Sequence, residues 1–307
     1  MPEGAHCGPP SPTSLYRGRF APSPSGPLHL GSLLTALASY LDARAQGGEW
    51  RLRIDDLDPY RTRPGAVDRI LASLEALGLH WDGAPLYQSR RLERYREALE
   101  RLQAGGWLYA CRCSRRELSG IYPGTCRQRP AAGGTGPQAL RLMVPDASYA
   151  FEDHVQGRVR QSLAREVGDF VLFRRDGAFA YHLATVVDDA EQGVTTILRG
   201  QDLLAATPRQ ICLQQLLDLP TPDYVHTPLL VDAEGRKLSK RRLSPEAETR
   251  RPGRLLAHLL TWLRQPLPAG LLAAPPGEIL AWAVANWRLE RLRGIGPIVV
   301  DETALDP

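Results

Sequence analysis

The stretch Pro22-Ser23-Pro24-Ser25-Gly26-Pro27 can be neither helix nor central strand, and it runs straight into a Leu- and Ala-rich segment beginning near Leu28. Prolines fix φ and remove backbone donors, while Gly26 permits a turn that other residues resist. A loop of this kind feeding a helix offers unpaired N–H groups and the positive end of a helix dipole, which suits a phosphate. His29 stands at the junction as an extra donor, and Gly31 removes a side chain where a flat base or ribose could lie against the backbone. Roughly two hundred residues later, Lys237-Leu238-Ser239-Lys240 puts two ammonium groups on a short polar loop, a charge clamp for a triphosphate. Each feature alone is common; in this order they point to one nucleotide site.

Leu15 to Phe20 reads as a first strand ahead of the loop, and Leu28 to Ala45 as a helix stopped by Gly47-Gly48. Glu49 to Ile54 alternates like a strand and delivers Asp55, Asp56 and Asp58 to its carboxyl end, the edge at which open parallel sheets bind ligands. Arg63 to Leu77 and Ser89 to Gln103 read as amphipathic helices. This alternation predicts an α/β fold on a Rossmann-like parallel sheet with right-handed crossovers, its first half spanning residues 15–105. From Gly105 the character changes. Trp107-Leu108-Tyr109-Ala110 leads into a cysteine cluster and Gly133-Gly134-Thr135-Gly136 breaks any regular element, so residues 106–165 are expected to form an insertion. Phe170 to Phe173, Phe179 to Leu183 and Thr195 to Leu198 read as strands returning to the core, and Pro208 to Leu217 as a helix, within a second half at 166–245. Residues 246–307 are expected to be helical and Arg-rich, and the Pro/Gly/Ser-rich residues 1–14 to be a disordered lead-in without a signal-peptide pattern.

The 307 residues suffice for one large domain or a core with appendages, and 43% apolar content supports a buried core. No apolar run approaches the length of a membrane span, so no membrane partner is expected and the cytoplasm is the expected location. Five cysteines, an odd number, argue against a disulfide framework. A net charge of +4 conceals two basic clusters, one from Arg236 to Arg254 and one from Arg112 to Arg129. Clustered Arg and Lys beside nucleotide motifs point to an RNA backbone rather than to a merely solvated face.

Arg19, Ser23, Asp55, Tyr181 and Arg199 fall at the ends of expected core strands or in the loop after one. An acidic amino acid carries two carboxylates and one ammonium, which two guanidiniums, one carboxylate and a phenol can all pair, Arg forks taking carboxylates bidentately. An uncharged analogue would leave a guanidinium unmatched. Asp55 is expected to take the ammonium and the arginines the carboxylates. Asp188-Asp189 could pass for a metal pair or an acid/base dyad; the expected role is to brace the core beside the pocket. Cys111-x-Cys113, followed after twelve residues by Cys126, supplies three soft ligands, one short of the four that structural zinc takes. The competing reading is a set of reduced, buried thiols.

His29-Leu30-Gly31-Ser32 and Lys237-Leu238-Ser239-Lys240-Arg241 resemble the two signature motifs of the class I aminoacyl-tRNA synthetases. Arg19 to Gly26, Arg53 to Asp58, Tyr181 to Ala184 with Val187-Asp188-Asp189, and Leu198 to Asp202 resemble the glutamyl-tRNA synthetase catalytic core, so that the likeness covers residues 15–245. The resemblance implies that Arg19, Phe20, Ala21, Pro22, Ser23, Asp55, Tyr181 and Arg199 bind L-glutamate. It implies that His29, Gly31, Lys237 and Lys240 bind ATP with its Mg²⁺, His29 and Lys240 being the catalytic charges at the α-phosphate and the departing pyrophosphate. Two positions depart from the pattern: Asp55 stands where the family usually has Glu, and Thr185 where Asn is frequent. The tRNA-modifying relatives place a tyrosine four residues before the last cysteine, as Tyr122 stands before Cys126, which implies one Zn²⁺ on Cys111, Cys113, Tyr122 and Cys126.

Only about sixty-five residues follow the lysine loop, too few for a globular module that reads a distant anticodon. The architecture therefore resembles the glutamyl-queuosine tRNA(Asp) synthetases, without an anticodon-binding domain. These form glutamyl-adenylate without tRNA and esterify glutamate to the cyclopentenediol of queuosine in the tRNA(Asp) anticodon. The expected partners are the tRNA(Asp) anticodon stem-loop, met by the catalytic face and held by the Arg-rich tail, together with L-glutamate and ATP. The chain is expected to be a monomer. Two alternatives stand beside this reading: a minimal glutamyl-tRNA synthetase charging the 3′ end of tRNA(Glu), and a non-catalytic RNA-binding or amino-acid-sensing paralogue.

Overall fold

The computed structural model describes residues 15–113, 120–128, 137–236, 238 and 251–300. In chain order the elements are β1 (Arg17–Phe20), α1 (Leu30–Ala45), β2 (Glu49–Ile54), α2 (Ala66–Ala76), β3 (Leu86–Tyr87) and α3 (Leu92–Ala104). Then come β4 (Leu108–Cys111), β5 (Ala139–Leu142), β6 (Ser148–Asp153), β7 (Gly157–Ser162), a single turn α4 (Leu163–Glu166) and β8 (Val171–Phe173). The remainder is α5 (Tyr181–Glu191), β9 (Thr196–Gly200), α6 (Thr207–Leu216), β10 (Asp223–Thr227), β11 (Leu230–Val231), α7 (Pro252–Trp262), α8 (Pro276–Asn286) and β12 (Ile298–Val299).

β1, β2 and β3 pair in parallel, as do β9 and β10. The two sets meet where the Thr195 N–H donates to the Arg17 carbonyl at 2.9 Å and the Arg17 N–H donates to the Thr195 hydroxyl at 2.9 Å. From β1 the chain builds outward to β3, and the strand that lies against the other edge of β1 is β9. That is a topological switch point, where a crevice opens outside the carboxyl ends of the strands. α1 starts at this crevice. Its Leu/Ala richness follows from burial nearly all round: Leu33, Leu37 and Leu41 share one apolar core with Trp50, Leu52 and Ile54 of β2 and with Leu256, Leu260, Ile279 and Trp287 of the C-terminal part.

Several segments differ from the sequence expectation. Phe179 to Leu183 is not a strand. Phe179 alone bridges to Phe173, and α5 starts at Tyr181 because Leu183, Ala184, Val186 and Val187 bury a helical face. β8 is a strand, but it pairs antiparallel with β5 in a β4-β5-β8 sheet rather than with the parallel core. The β6–β7 hairpin lies within residues 106–165 and continues the core sheet, because β6 runs parallel to β10 at Asp153 and Tyr224. Within 246–307 the described residues form α7 and α8, and also β12, which pairs in parallel with β11. The expected lead-in at 1–14 lies outside the described residues, and among these no helix is long and apolar enough to cross a membrane.

Candidate active site

The Pro/Gly loop is fastened to the end of β2. The Pro22 carbonyl accepts from the Asp55 N–H at 3.0 Å, and the Pro24 carbonyl from the Arg63 N–H at 2.9 Å. Gly26 has φ 141°, which a side chain would resist. Within this stretch Phe20 turns its ring into the core, stacked on Trp50 at 6.2 Å, so it can offer a ligand only backbone. Pro22 is buried, Ala21 half-buried and Ser23 exposed. His29 is the N-cap of α1, its Nδ1 accepting from the Ser32 N–H at 3.2 Å while Nε2 lies 3.0 Å from the Ser32 hydroxyl. A methyl group on Gly31 would come within 3.2 Å of the His29 ring, so this glycine lets the imidazole lie over the first turn. Lys237 and Lys240 lie outside the described residues. Leu238 between them is buried, its N–H donating to the Leu230 carbonyl at 3.1 Å.

At the carboxyl ends of β1 and β2 sits a buried cluster of alternating charge. Arg53, fully buried, donates through Nε to Asp55 Oδ1 at 2.8 Å and through Nη1 to Asp189 Oδ1 at 2.5 Å. Arg19 is 4% exposed and donates through Nε to the same Asp189 oxygen at 3.1 Å. Both terminal nitrogens of Arg19, and Oδ2 of Asp55, make no hydrogen bond among the described residues. Burial outweighs the pull of the Arg53 charge and raises the Asp55 carboxyl to about 6, whereas Asp189, buried between two guanidiniums, is held below the usual carboxylate range. Asp188 accepts from Gln88 at 2.8 Å, Arg91 at 2.7 Å and the Tyr95 hydroxyl at 2.8 Å. Asp188 and Asp189 thus hold the surrounding arginine, glutamine and tyrosine side chains, a bracing role.

Arg199, near the end of β9, is 3% exposed. It donates through Nε to His226 Nε2 at 3.0 Å, through Nη2 to the Thr207 hydroxyl at 2.8 Å and through Nη1 to the Tyr181 hydroxyl at 3.4 Å. His226 Nδ1 lies 2.6 Å from Asp153 Oδ2. Arg19 and Arg199 both bear electrostatically on Tyr224 and His226. Tyr181 opens α5 and is 37% exposed. Thr185, one turn further on, has a buried hydroxyl without a partner among the described residues.

The cysteine cluster forms beside the β4-β5-β8 sheet. The sulfurs of Cys111, Cys113 and Cys126 all lie within 4.8 Å of one another. The Tyr122 hydroxyl is 3.6 Å from Cys111 Sγ and 3.8 Å from Cys113 Sγ, and Cys113 and Cys126 are 3.5 Å apart. A tetrahedral zinc with Zn–S of about 2.3 Å has ligand–ligand edges near 3.8 Å, so the four groups fit one. Burial raises the Cys126 thiol, but the Tyr122 hydroxyl and a backbone N–H pull it down to about 7, toward the thiolate a metal takes. The Arg141 guanidinium lies 4.0 Å over the Tyr122 ring, while burial and the neighbouring thiols raise the Tyr122 phenol, so that its deprotonation would depend on the metal.

Sequence reasoning assigned no role to Arg53, Asp153, Thr207 or His226. Arg53 could have been found, since an arginine in a strand that alternates with Leu52 and Ile54 must be paired if that strand is central. Asp153 and His226 leave no local signal, because seventy-three positions separate them.

The family described as class I tRNA synthetases (E and Q), catalytic domain, matches residues 16–251. A glutamyl-Q tRNA(Asp) synthetase of Neisseria meningitidis serogroup B is 52% identical over 290 residues, covering 91% of this chain and 97% of that protein. The protein of the same name from Methylococcus capsulatus is 54% identical over 284 residues, covering 92% and 94%. Among solved structures, a glutamate tRNA ligase from Elizabethkingia meningosepticum in complex with its amino acid is similar with a TM-score of 0.76 and 25% identity, over 92% of this chain and 67% of that one. The glutamate-tRNA synthetase of Elizabethkingia anophelis shares the fold, with a TM-score of 0.79 at 24% identity.

Proposed function

The chain belongs to the class I tRNA synthetases (E and Q), and among them to the glutamyl-Q tRNA(Asp) synthetases, and we propose that it is an ATP-dependent glutamyl ligase acting on queuosine in tRNA(Asp). In the first step the α-carboxylate of L-glutamate attacks the α-phosphorus of ATP and pyrophosphate leaves, without tRNA. In the second, a hydroxyl of the queuosine cyclopentenediol attacks the adenylate carbonyl and AMP leaves. Neither step needs a protein nucleophile. The chain supplies charge: Arg19 and Arg199 for the carboxylates, Asp55 for the ammonium, the Tyr181 hydroxyl, and His29 with Lys240 for the phosphates.

One observation carries this reading. At the carboxyl ends of neighbouring strands, Arg19 presents two nitrogens and Asp55 one oxygen without hydrogen bonds among the described residues, and Arg199 keeps donors to spare, the complement of an acidic amino acid. Mg²⁺ accompanies ATP as its complex. Cys111, Cys113, Tyr122 and Cys126 would hold one Zn²⁺, which supplies a structural cross-link within the insertion. In this reading the anticodon stem-loop of tRNA(Asp) meets the catalytic face of a cytoplasmic monomer.

The test is glutamate-dependent ATP–pyrophosphate exchange without tRNA, followed by transfer of labelled glutamate to tRNA(Asp). Transfer is expected to require queuosine and to survive periodate oxidation of the tRNA 3′ end. Charging of tRNA(Glu) that oxidation abolishes would establish the minimal glutamyl-tRNA synthetase instead, and absence of exchange with Mg²⁺ present would leave a non-catalytic paralogue.

A further inference from the structure

The parallel register of β9 and β10 sets Arg199 beside His226, and that of β10 and β6 sets Tyr224 beside Asp153. Three polar side chains from three strands thereby form a chain inside the core: Asp153 Oδ2 to His226 Nδ1 at 2.6 Å, then His226 Nε2 to Arg199 Nε at 3.0 Å. Asp153 and His226 are 3% and 0% exposed and reach no solvent or ligand themselves. The directions are fixed by chemistry. A guanidinium can only donate, so His226 Nε2 must carry its lone pair toward Arg199 and the ring proton must sit on Nδ1, donated to Asp153. Asp153 is committed in turn, because its Oδ1 accepts the N–H groups of Val155 at 3.0 Å, Gln156 at 2.8 Å and His226 at 3.2 Å. Burial and the nearby arginines keep the ring neutral, even though the Asp153 carboxylate favours its protonation.

A neutral acceptor on Nε has a consequence for binding. Arg19 is held at Nε by the Asp189 carboxylate, so its charge is already partly answered. Arg199 is held at Nε by an uncharged imidazole and at Nη2 by a hydroxyl, so it is oriented without being neutralised. We propose that Asp153 and His226 are positioning residues for substrate, locking the imidazole tautomer that aims Arg199 and leaves its full positive charge for a carboxylate of the amino acid. The inference rests on the glutamate-activating reading above and goes beyond it by assigning the determinants behind one of its arginines.

Asp153→Asn is the decisive variant. The backbone donors hold the amide oxygen, so the amide NH₂ faces His226 Nδ1, the ring proton moves to Nε2, and that proton then opposes the Arg199 N–H. In pyrophosphate exchange the glutamate KM should rise by roughly tenfold or more, with the ATP KM within about twofold, in protein that stays folded at the assay temperature. Ring ¹⁵N shifts in histidine-labelled protein should show one histidine switching from the Nδ1–H to the Nε2–H form. His226→Gln, whose Oε1 can replace the Nε2 acceptor, should keep a glutamate KM nearer wild type than His226→Asn, which keeps only the donor to Asp153. Wild-type glutamate KM in both Asp153→Asn and His226→Asn, equal losses for glutamate and ATP, or an Nε2–H tautomer in the wild-type ring would each overturn the relay. If the wild-type enzyme shows no exchange, the glutamate reading fails, while the ring-nitrogen spectra still decide the relay.

Discussion

Asp55 is the residue at which burial and function pull in opposite directions. Its carboxyl, raised to about 6 by desolvation against the Arg53 charge, takes its proton as pH falls below about 6 when nothing else is bound. A raised folded-state value means that this group's stabilisation is complete below the unfolded value and is lost as pH rises through about 6. A substrate ammonium on Oδ2 opposes that protonation. Glutamate affinity should therefore weaken as pH falls through about 6, approaching tenfold per pH unit below it, and calorimetric titrations across this range should show that slope. In Asp55→Asn the affinity should be lower throughout and the slope absent; an unchanged slope would separate Asp55 from the ammonium. The Asp55 carboxylate is spent on Arg53 through one oxygen only, which leaves Oδ2 without a hydrogen bond among the described residues.

At the scale of elements, the junction into α1 was legible because its residues act on their neighbours. Gly26 at φ 141°, His29 capping Ser32 and Gly31 under the imidazole are relations within six positions, which a linear reading can follow. The α5 start was misread because five residues, Phe179 to Leu183, straddle a strand bridge and a helix, and so short an apolar run does not declare its period. The cysteine element shows a mixed case, with spacing marking the three thiols and only the fold bringing the Tyr122 hydroxyl within 3.6 Å of Cys111. Purified protein should contain close to one zinc per chain, as a closed four-ligand site requires. Cys126→Ala should lose the metal and lower the melting temperature. Tyr122→Phe should retain zinc with weaker affinity in a chelator competition. Full zinc in Cys126→Ala would remove that thiol from the site.

Across the whole molecule, the C-terminal helices are a layer of the core rather than an appendage. Trp287 Nε1 donates to Asp42 Oδ1 at 2.9 Å, and the Tyr16 hydroxyl to Asp42 Oδ2 at 2.5 Å, so a buried carboxylate on α1 joins both ends of the described chain. Burial raises the Asp42 carboxyl, and the Trp287 and Tyr16 donors offset part of that rise. Trp287→Phe keeps the packing, removes one donor, and should cost about 1–3 kcal/mol in urea unfolding. The loss should shrink at acid pH, where Asp42 is protonated in both folded and unfolded chains; a pH-independent loss would assign the effect to packing. β12 completes this layer beside β11, which also accepts the Leu238 N–H at the Leu230 carbonyl. The sequence by itself determined the nucleotide junction, the parallel α/β alternation and the list of charged groups at strand ends, because these rest on local backbone chemistry and on periodicity. Only the tertiary structure decided which charges face one another. The Asp153–His226–Arg199 chain, the Asp189 oxygen shared by two arginines and the burial of Asp42 under Trp287 join positions far apart in sequence, and their energies exist only where strand register and packing exclude water.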